Sequence, residues 1–468
     1  MRSLLVGTWL ALLSSRVFAG MPSKIYGVNL GSWLVLEAWM LPQEWLDMGG
    51  QSCTTCSDCI ATESSFARAY PTTVDQTFAK HWDTWFTQDY VSQLQAAGIN
   101  TVRVPLGYWI VEALVNRPEE MYPRGGLAYL RRGLGWLKDA GINAILDHHA
   151  LPGVQTPNQQ FTGNCTTDIQ FYTPYNYHRA LVWTAVMTTL AHMDSNFGSV
   201  FAIEAVNEPI TDANETPGYG TFQKNFVQTV RAVELVLGIT IPDFSSLNVG
   251  MSSSNFTAAL GSAAGASVLN PAVQAALTDA VPIILEIAAE FGMQSAFTSE
   301  GFQSQRSALT TNFMDINWQY DNPPNPANAA IGPQGYDNHL YYSYGGVANA
   351  TPEAYLTSVC NLNRIQADAA LGDNPLWFGE WGLPTQFDAT DEFLYQWADA
   401  QKYAYSQGAG WIFWNFKTEI SDLTNGTALA RQWSYLEALK MGFFTQDPAQ
   451  LNDPNVCAPY INSTSSSS

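Results

Sequence analysis

The sequence predicts an α/β protein, a (β/α)8 TIM barrel with loop and helix insertions before strand 5 and strand 6. Three observations predict it. Short apolar runs recur eight times, each ending in polar or aromatic residues of the kind that do chemistry. Amphipathic segments lie between most of them, the alternation expected of a parallel sheet covered by helices. No internal repeat or linker divides the 468 residues, and barrels with insertions can exceed ~400 residues as one domain.

The strand candidates, in order, are 25–30, 101–105, 144–147, 201–207, 312–317, 336–341, 376–380 and 410–414. Segments 88–97 and 127–140 have helical spacing and stop at Gly98 and Gly141, as helix C-termini often do. Segments 175–192 and 222–237 are similar. Residues 271–291 form an Ala-rich helical stretch with Pro282 inside, so a kinked or split helix is expected. About 70 residues (242–311) precede strand 5, more than a simple crossover needs. They read as an insertion of helices and loop. Residues 321–335, rich in Pro and Asn, are a second insertion before strand 6.

The first 19 residues read as a secretory signal. Arg2 gives the positive start, residues 4–13 are apolar but too short to span a bilayer, and Val17-Phe18-Ala19 resembles a cleavage site. Residues 20–460 are expected to form one domain and 461–468 a short Ser-rich tail. After the leader, no apolar run of about 18 or more is evident. Six Asn-x-Ser/Thr sequons, at Asn164, Asn214, Asn255, Asn349, Asn425 and Asn462, fit an extracellular or cell-wall protein and predict exposed loops. Six cysteines in an oxidising compartment suggest disulfides, with 15 pairings open. The run Cys53-x-x-Cys56-x-x-Cys59 lacks an evident fourth ligand, so a loop disulfide is favoured over a metal.

The net charge of −21, with 20 Lys+Arg against 41 Asp+Glu, argues against phosphate-driven binding of nucleic acid and against anionic membranes. Sixteen Trp, 21 Tyr and 23 Phe suit core packing, and some suit stacking on sugar rings. No phosphate loop, nucleophile elbow or dinucleotide fingerprint stands in a convincing context, and no cofactor is expected. A metal site built from Asp147, His148 and His149 would need a second carboxylate cluster that is not evident, so no metal is expected.

Two glutamates stand out. Glu208 follows the apolar run 201–206 within Asn207-Glu208-Pro209, and Glu380 follows Leu376-Trp377-Phe378-Gly379. Desolvation at a strand end raises a carboxyl pKa, as a general acid requires. Two facing carboxylates are what glycosidic hydrolysis needs.

In these local sequences the chain resembles glycoside hydrolase family 5, in its fungal exo-β-1,3-glucanase and β-1,6-glucanase branches. The markers, in order, are Gly27–Trp33 with Glu37, Val102–Trp109, Leu146–His149 with Pro152-Gly153, Asn207–Pro209, His339–Tyr341, Gly379–Trp381, and Trp411–Trp414 with Lys417. The resemblance runs from Tyr26 to about Phe444. It implies that Glu208 is the acid/base and Glu380 the nucleophile of a retaining double displacement, with carboxyl groups ~5–5.5 Å apart. It implies further that Asn207 holds the sugar 2-hydroxyl, that Arg103 and Tyr341 donate to Glu380, with Arg103 keeping it ionised, and that His149 and His339 line the subsite. Trp414 would be the platform under the sugar. Glu37 matches a residue that binds terminal-sugar hydroxyls, and Trp39 a second stacking surface. His148 stands where the family has an apolar residue, so it is placed behind the strand. By the same analogy Cys360 and Cys457 pair.

The expected function is that of a secreted, monomeric, retaining β-glucanase acting on cell-wall β-glucan, of the exo-β-1,3-glucanase type. The alternatives are a β-1,6-glucanase or other β-glycosidase of the family and, in a different class, a non-catalytic carbohydrate-binding barrel. Residues 31–37 resemble the exo-β-1,3 branch, whereas 122–127, 152–155 and 161–163 resemble the β-1,6 branch. Linkage preference is expected to be decided in the insertions 242–311 and 321–335.

Overall fold

The computed structural model describes residues 20–241, 255–298, 304, 306–316 and 325–461. Residues 1–19, residues 462–468 with the sequon Asn462, and parts of both insertions lie outside the described residues.

Eight parallel strands close into a barrel in the order β1 to β8, with β8 pairing back to β1. They are β1 Ile25–Asn29, β2 Thr101–Gly107, β3 Asn143–Ala150, β4 Val200–Glu204, β5 Thr310–Met314, β6 Gln334–His339, β7 Leu376–Glu380 and β8 Gly410–Phe413. The predicted strands all exist, β7 with the predicted ends and the others with ends shifted by a few residues. β4 stops at Glu204, not Asn207, yet Ala205 N–H still donates to Asn312 and Asn207 N–H to His148. β5 starts at the buried pair Thr310-Thr311, two residues earlier than expected. β6 also starts two residues early, leaving Tyr341 just beyond it.

Strand β3 shows how the two-residue period sorts side chains. Ile145 joins a small apolar cluster with Ile25, Phe201, Ala202, Trp377 and Ile412, whereas Leu146 belongs to the main core between sheet and helices. Asp147 meets Arg103 inside the barrel. His148 points outward and stacks on Trp183, ring centroids 3.9 Å apart, and burial holds its pKa well below the usual imidazole value. His149 faces inward again. Asp147, His148 and His149 therefore do not share a face.

The helix Gly126–Ala140 ends at Gly141, whose φ of 73° is the left-handed cap that glycine adopts without strain. Pro271–Glu290 is one continuous helix with Pro282 inside it, not two. That helix is also long and apolar enough by composition to cross a membrane, which the sequence reading overlooked. Here it packs on the helices Pro174–Met193 and Tyr219–Val236 and on Phe256–Ala264, thickening the outer layer of the barrel.

All six cysteines pair, as Cys53–Cys59, Cys56–Cys165 and Cys360–Cys457. Of the described sequons, Asn214, Asn349 and Asn425 are exposed, while Asn164 and Asn255 are half-buried; Asn255 caps the helix Phe256–Ala264.

Candidate active site

The barrel opens at the C-terminal ends of its strands into a cleft of ≈620 Å³. Among its lining residues are Glu37, Trp39, His149, Asn207, Glu208, Tyr341, Glu380 and Trp414. Arg103 and His339 stand behind this surface, buried, and act through the residues that reach it.

Arg103 is the hub, fully buried on β2. It donates to both oxygens of Glu204 (2.9 and 3.1 Å), to Asn29 Oδ1 (3.1 Å), to Asn207 Oδ1 (2.8 Å) and to Glu380 Oε1 (2.9 Å). Asp147 lies 3.1 Å away and Asp337 3.6 Å away. Burial opposes the guanidinium charge, but the surrounding carboxylates outweigh burial and hold its pKa well above its ordinary value. One arginine does not hold all these acids ionised. Burial, partly offset by Arg103, pushes Asp147 up to about 7 and Glu204 up to about 8.

Glu380 accepts from Arg103 on one oxygen and from Tyr341 on the other, the latter at 2.9 Å. Burial raises its pKa, with His339 and then Arg103 pulling back and Glu208 adding to the rise. Arg103 thus donates to this carboxyl and, with His339, opposes the rise that burial imposes. Gly379 must be glycine, because a Cβ there would collide with the Asp337 carboxylate; instead its N–H donates to Asp337 Oδ1 at 2.6 Å.

Glu208 lies four residues beyond β4 with φ 42°, in the left-handed region that non-glycine residues seldom adopt. Its backbone carbonyl accepts from Thr156 Oγ1, and the carbonyl of Asn207 from Gln155 Nε2 at 3.0 Å. The side chain pairs with His339 Nδ1 at 2.8 Å, and the same nitrogen lies 3.5 Å from Glu380 Oε2. Burial disfavours the charged imidazole, but Glu380, Asp337 and Glu208 outweigh it and raise His339 well above the usual value. Glu208, His339 and Glu380 place one polar atom each within 4.8 Å of the others. The same spacing lets His339 Nδ1 bridge the two carboxyl groups.

His149 Nδ1 lies 2.6 Å from Asp147 Oδ2, and burial, reinforced by the charge on Arg103, lowers its pKa to about 3, so the ring is neutral. Among the described residues its Nε2 has no partner, nor has Asn207 Nδ2. Trp414 lies nearly parallel to the His149 ring at 12°, with centroids 5.7 Å apart. Glu37 accepts from Trp39 Nε1 at 2.9 Å; burial, against that hydrogen bond, drives its pKa up to about 8. Trp39 packs edge-on against Trp433, centroids 5.1 Å apart.

Sequence reasoning missed the roles of Glu204, Asp337 and Asn29 around Arg103. Strand parity was the available signal, because an inward arginine needs inward acids at its level. It also missed Tyr344 and Trp433 and the residues of loops 53–56 and 158–161 that line the cleft. None of the described residues of either insertion lines it.

A closed (β/α)8 barrel with paired acidic side chains at the bottom of an open cleft defines the glycoside hydrolase class. The profile described as Cellulase (glycosyl hydrolase family 5) matches residues 66–419, and the chain belongs to that family. Glucan endo-1,6-beta-glucosidase B of Emericella nidulans is 29% identical over 95% of this chain and 90% of its own length. A probable glucan endo-1,6-beta-glucosidase B of Neosartorya fischeri is 30% identical over 95% of this chain and 92% of its own. The glucan 1,3-beta-glucosidase of Blumeria graminis is 32% identical, over 41% of this chain and 42% of its own. The crystal structure of a rutinosidase from Aspergillus niger shares the fold with TM-score 0.57 and 17% identity, covering 93% of this chain and 100% of that one.

Proposed function

We propose that the protein is a secreted β-glucanase that hydrolyses β-1,6-linked glucan with retention at the anomeric carbon. The observation that carries the mechanism is the spacing of Glu208 and Glu380, within 4.8 Å by their nearer oxygens, with His339 between them. That gap suits direct attack and leaves little room for the water an inverting enzyme needs.

Glu380, aimed by Arg103 and Tyr341, attacks the anomeric carbon while Glu208 gives its proton to the departing glycosidic oxygen. A covalent glucosyl-enzyme forms and the shortened chain leaves. Glu208 then takes a proton from water, whose oxygen displaces Glu380. Asn207 Nδ2 is the donor for the sugar 2-hydroxyl, a bond placed to strengthen as the ring flattens. His149 Nε2 accepts from another hydroxyl, and Trp414 underlies the ring. Neutral Glu37 and Trp39 meet hydroxyls at one edge of the cleft. Both glutamates are present and hydrogen-bonded, which disfavours a purely binding role.

The linkage rests on the names of the relatives aligned along nearly the whole chain; the 1,3-acting relative aligns with less than half. Three disulfides and the leader-like first 19 residues support secretion. Products from pustulan (β-1,6) and laminarin (β-1,3) test the proposal. Short β-1,6 oligomers from pustulan are expected. Glucose alone, released from laminarin alone, would assign the exo-β-1,3 reading instead. Azide is expected to restore part of the activity of Glu380→Gly and to give a product of inverted configuration.

A further inference from the structure

One side of the cleft has no part in the proposed bond-breaking. It is formed by Thr54 and Thr55, from the loop after β1, and by Asn158, Gln159 and Gln160, from the loop after β3. The first loop is largely exposed and buries no apolar side chain of its own between 53 and 59. A loop so placed has little packing to fix it. Covalent bonds do so instead. Cys53–Cys59 closes the loop on itself, and Cys56–Cys165 ties it to the second loop across 109 residues of sequence. The backbone bond from Ser64 N–H to Gly163 adds to the tie, and that from Asn158 N–H to Thr166 braces the second loop itself.

The wall presents the hydroxyls and carboxamides of Thr54, Thr55, Asn158, Gln159 and Gln160, with Phe161 and the Cys53 and Cys56 sulfurs beside them and no charged group among its cleft-lining residues. The amide oxygen Gln160 Oε1 is out of solvent and, among the described residues, without a hydrogen-bond partner. Such a surface suits a neutral polyol better than an anion or an apolar ring, since each sugar hydroxyl both donates and accepts. The cleft is also larger than one pyranose, and the groups assigned to the reacting sugar lie on other loops and strand ends.

We infer that this disulfide-tethered wall is a subsite for a further sugar unit of the glucan, beyond the one attacked by Glu380, and that it makes longer chains better substrates. The inference rests on the glucanase reading above. Holding the wall rigid spares the cost of ordering two loops each time a chain binds.

The test is kcat/KM on linear β-1,6-linked glucose oligomers of increasing length, with the β-1,3 series alongside, for the wild type, Thr55→Ala, Gln160→Ala and the double variant Cys56→Ser/Cys165→Ser. The ratio between the longest oligomer and the shortest one cleaved is the readout. In each single variant that ratio is expected to fall about three- to tenfold, the effect of one lost hydrogen bond, and in the double variant by at least as much. The alanine variants carry the test if the double variant does not fold. An unchanged ratio, or equal losses at every length, overturns the inference. If the wild type cleaves neither series, the glucanase reading itself fails. If it cleaves one series and the variants leave its length dependence intact, the wall alone fails.

Discussion

The mouth of the barrel is held together in two ways. At its centre, Arg103 fixes Glu204, Asn207, Asn29 and Glu380 through short hydrogen bonds in a fully buried pocket. At its rim, loops 53–59 and 158–165 are exposed and are joined by disulfides. The centre depends on charge balance, so each member is costly to change. The rim depends on two covalent ties, so the residues between them are free to vary without loosening the scaffold. On the function and subsite proposed above, chemistry belongs to the first kind of structure and the choice of longer chains to the second.

Changes at the centre should have the largest effects. Glu208→Gln is expected to lower kcat by about 10²–10⁴-fold, the range for one general acid/base, and Glu380→Gln by at least as much, with circular dichroism unchanged. Steady-state kinetics on the best glucan would check both. Arg103→Met leaves Glu204, Asp147 and Glu380 buried without their cation. It is expected to destabilise the fold by about 3–5 kcal/mol, as for other broken buried pairs, measured by urea unfolding. If it retains wild-type stability, the contrast between centre and rim collapses.

Between the two regions lies Glu63, fully buried, whose Oε1 accepts from Leu36 N–H at 2.9 Å and so braces the loop that carries Glu37. Burial pushes its pKa up to about 8, against the hydrogen bond from Leu36. A carboxyl raised in the folded state contributes fully below its unfolded value near 4.5, and that stability is lost as pH rises through about 8. The melting temperature should therefore decline across that window, and Glu63→Gln should make the decline shallower. At the small end, Arg132 and Asp83 pair at 2.6 Å with side chains 40% and 58% exposed. Arg132→Ala should cost no more than about 1 kcal/mol; a larger loss would mean that surface charge contributes more than this comparison allows.

Much of the centre was legible in the sequence because local pattern determines it. Alternating apolar runs and amphipathic segments gave the barrel; strand parity allowed only one of His148 and His149 to face the cleft, and the family resemblance chose His149. The rest was hidden for physical reasons. Glu204 reads as an ordinary strand residue until Arg103 is seen at its level across the barrel. The pairing of Cys56 with Cys165 joins segments 109 residues apart, a separation that no local periodicity encodes. The extra residues before β5 suggested a cleft-shaping insertion, but their described helices cover the outer layer. The loops 53–59 and 158–165 line the cleft without any local signal that marks them as doing so.

The backbone twist at residue 208 has a consequence for protein engineering. In a helix or strand, alanine outranks glycine because it has less freedom to surrender on folding. At φ 42° the order should invert, since a Cβ there is penalised by roughly 1–2 kcal/mol. Of two equally inert proteins, Glu208→Gly should outlast Glu208→Ala on heating, and so be the sturdier scaffold for trapping intact substrate.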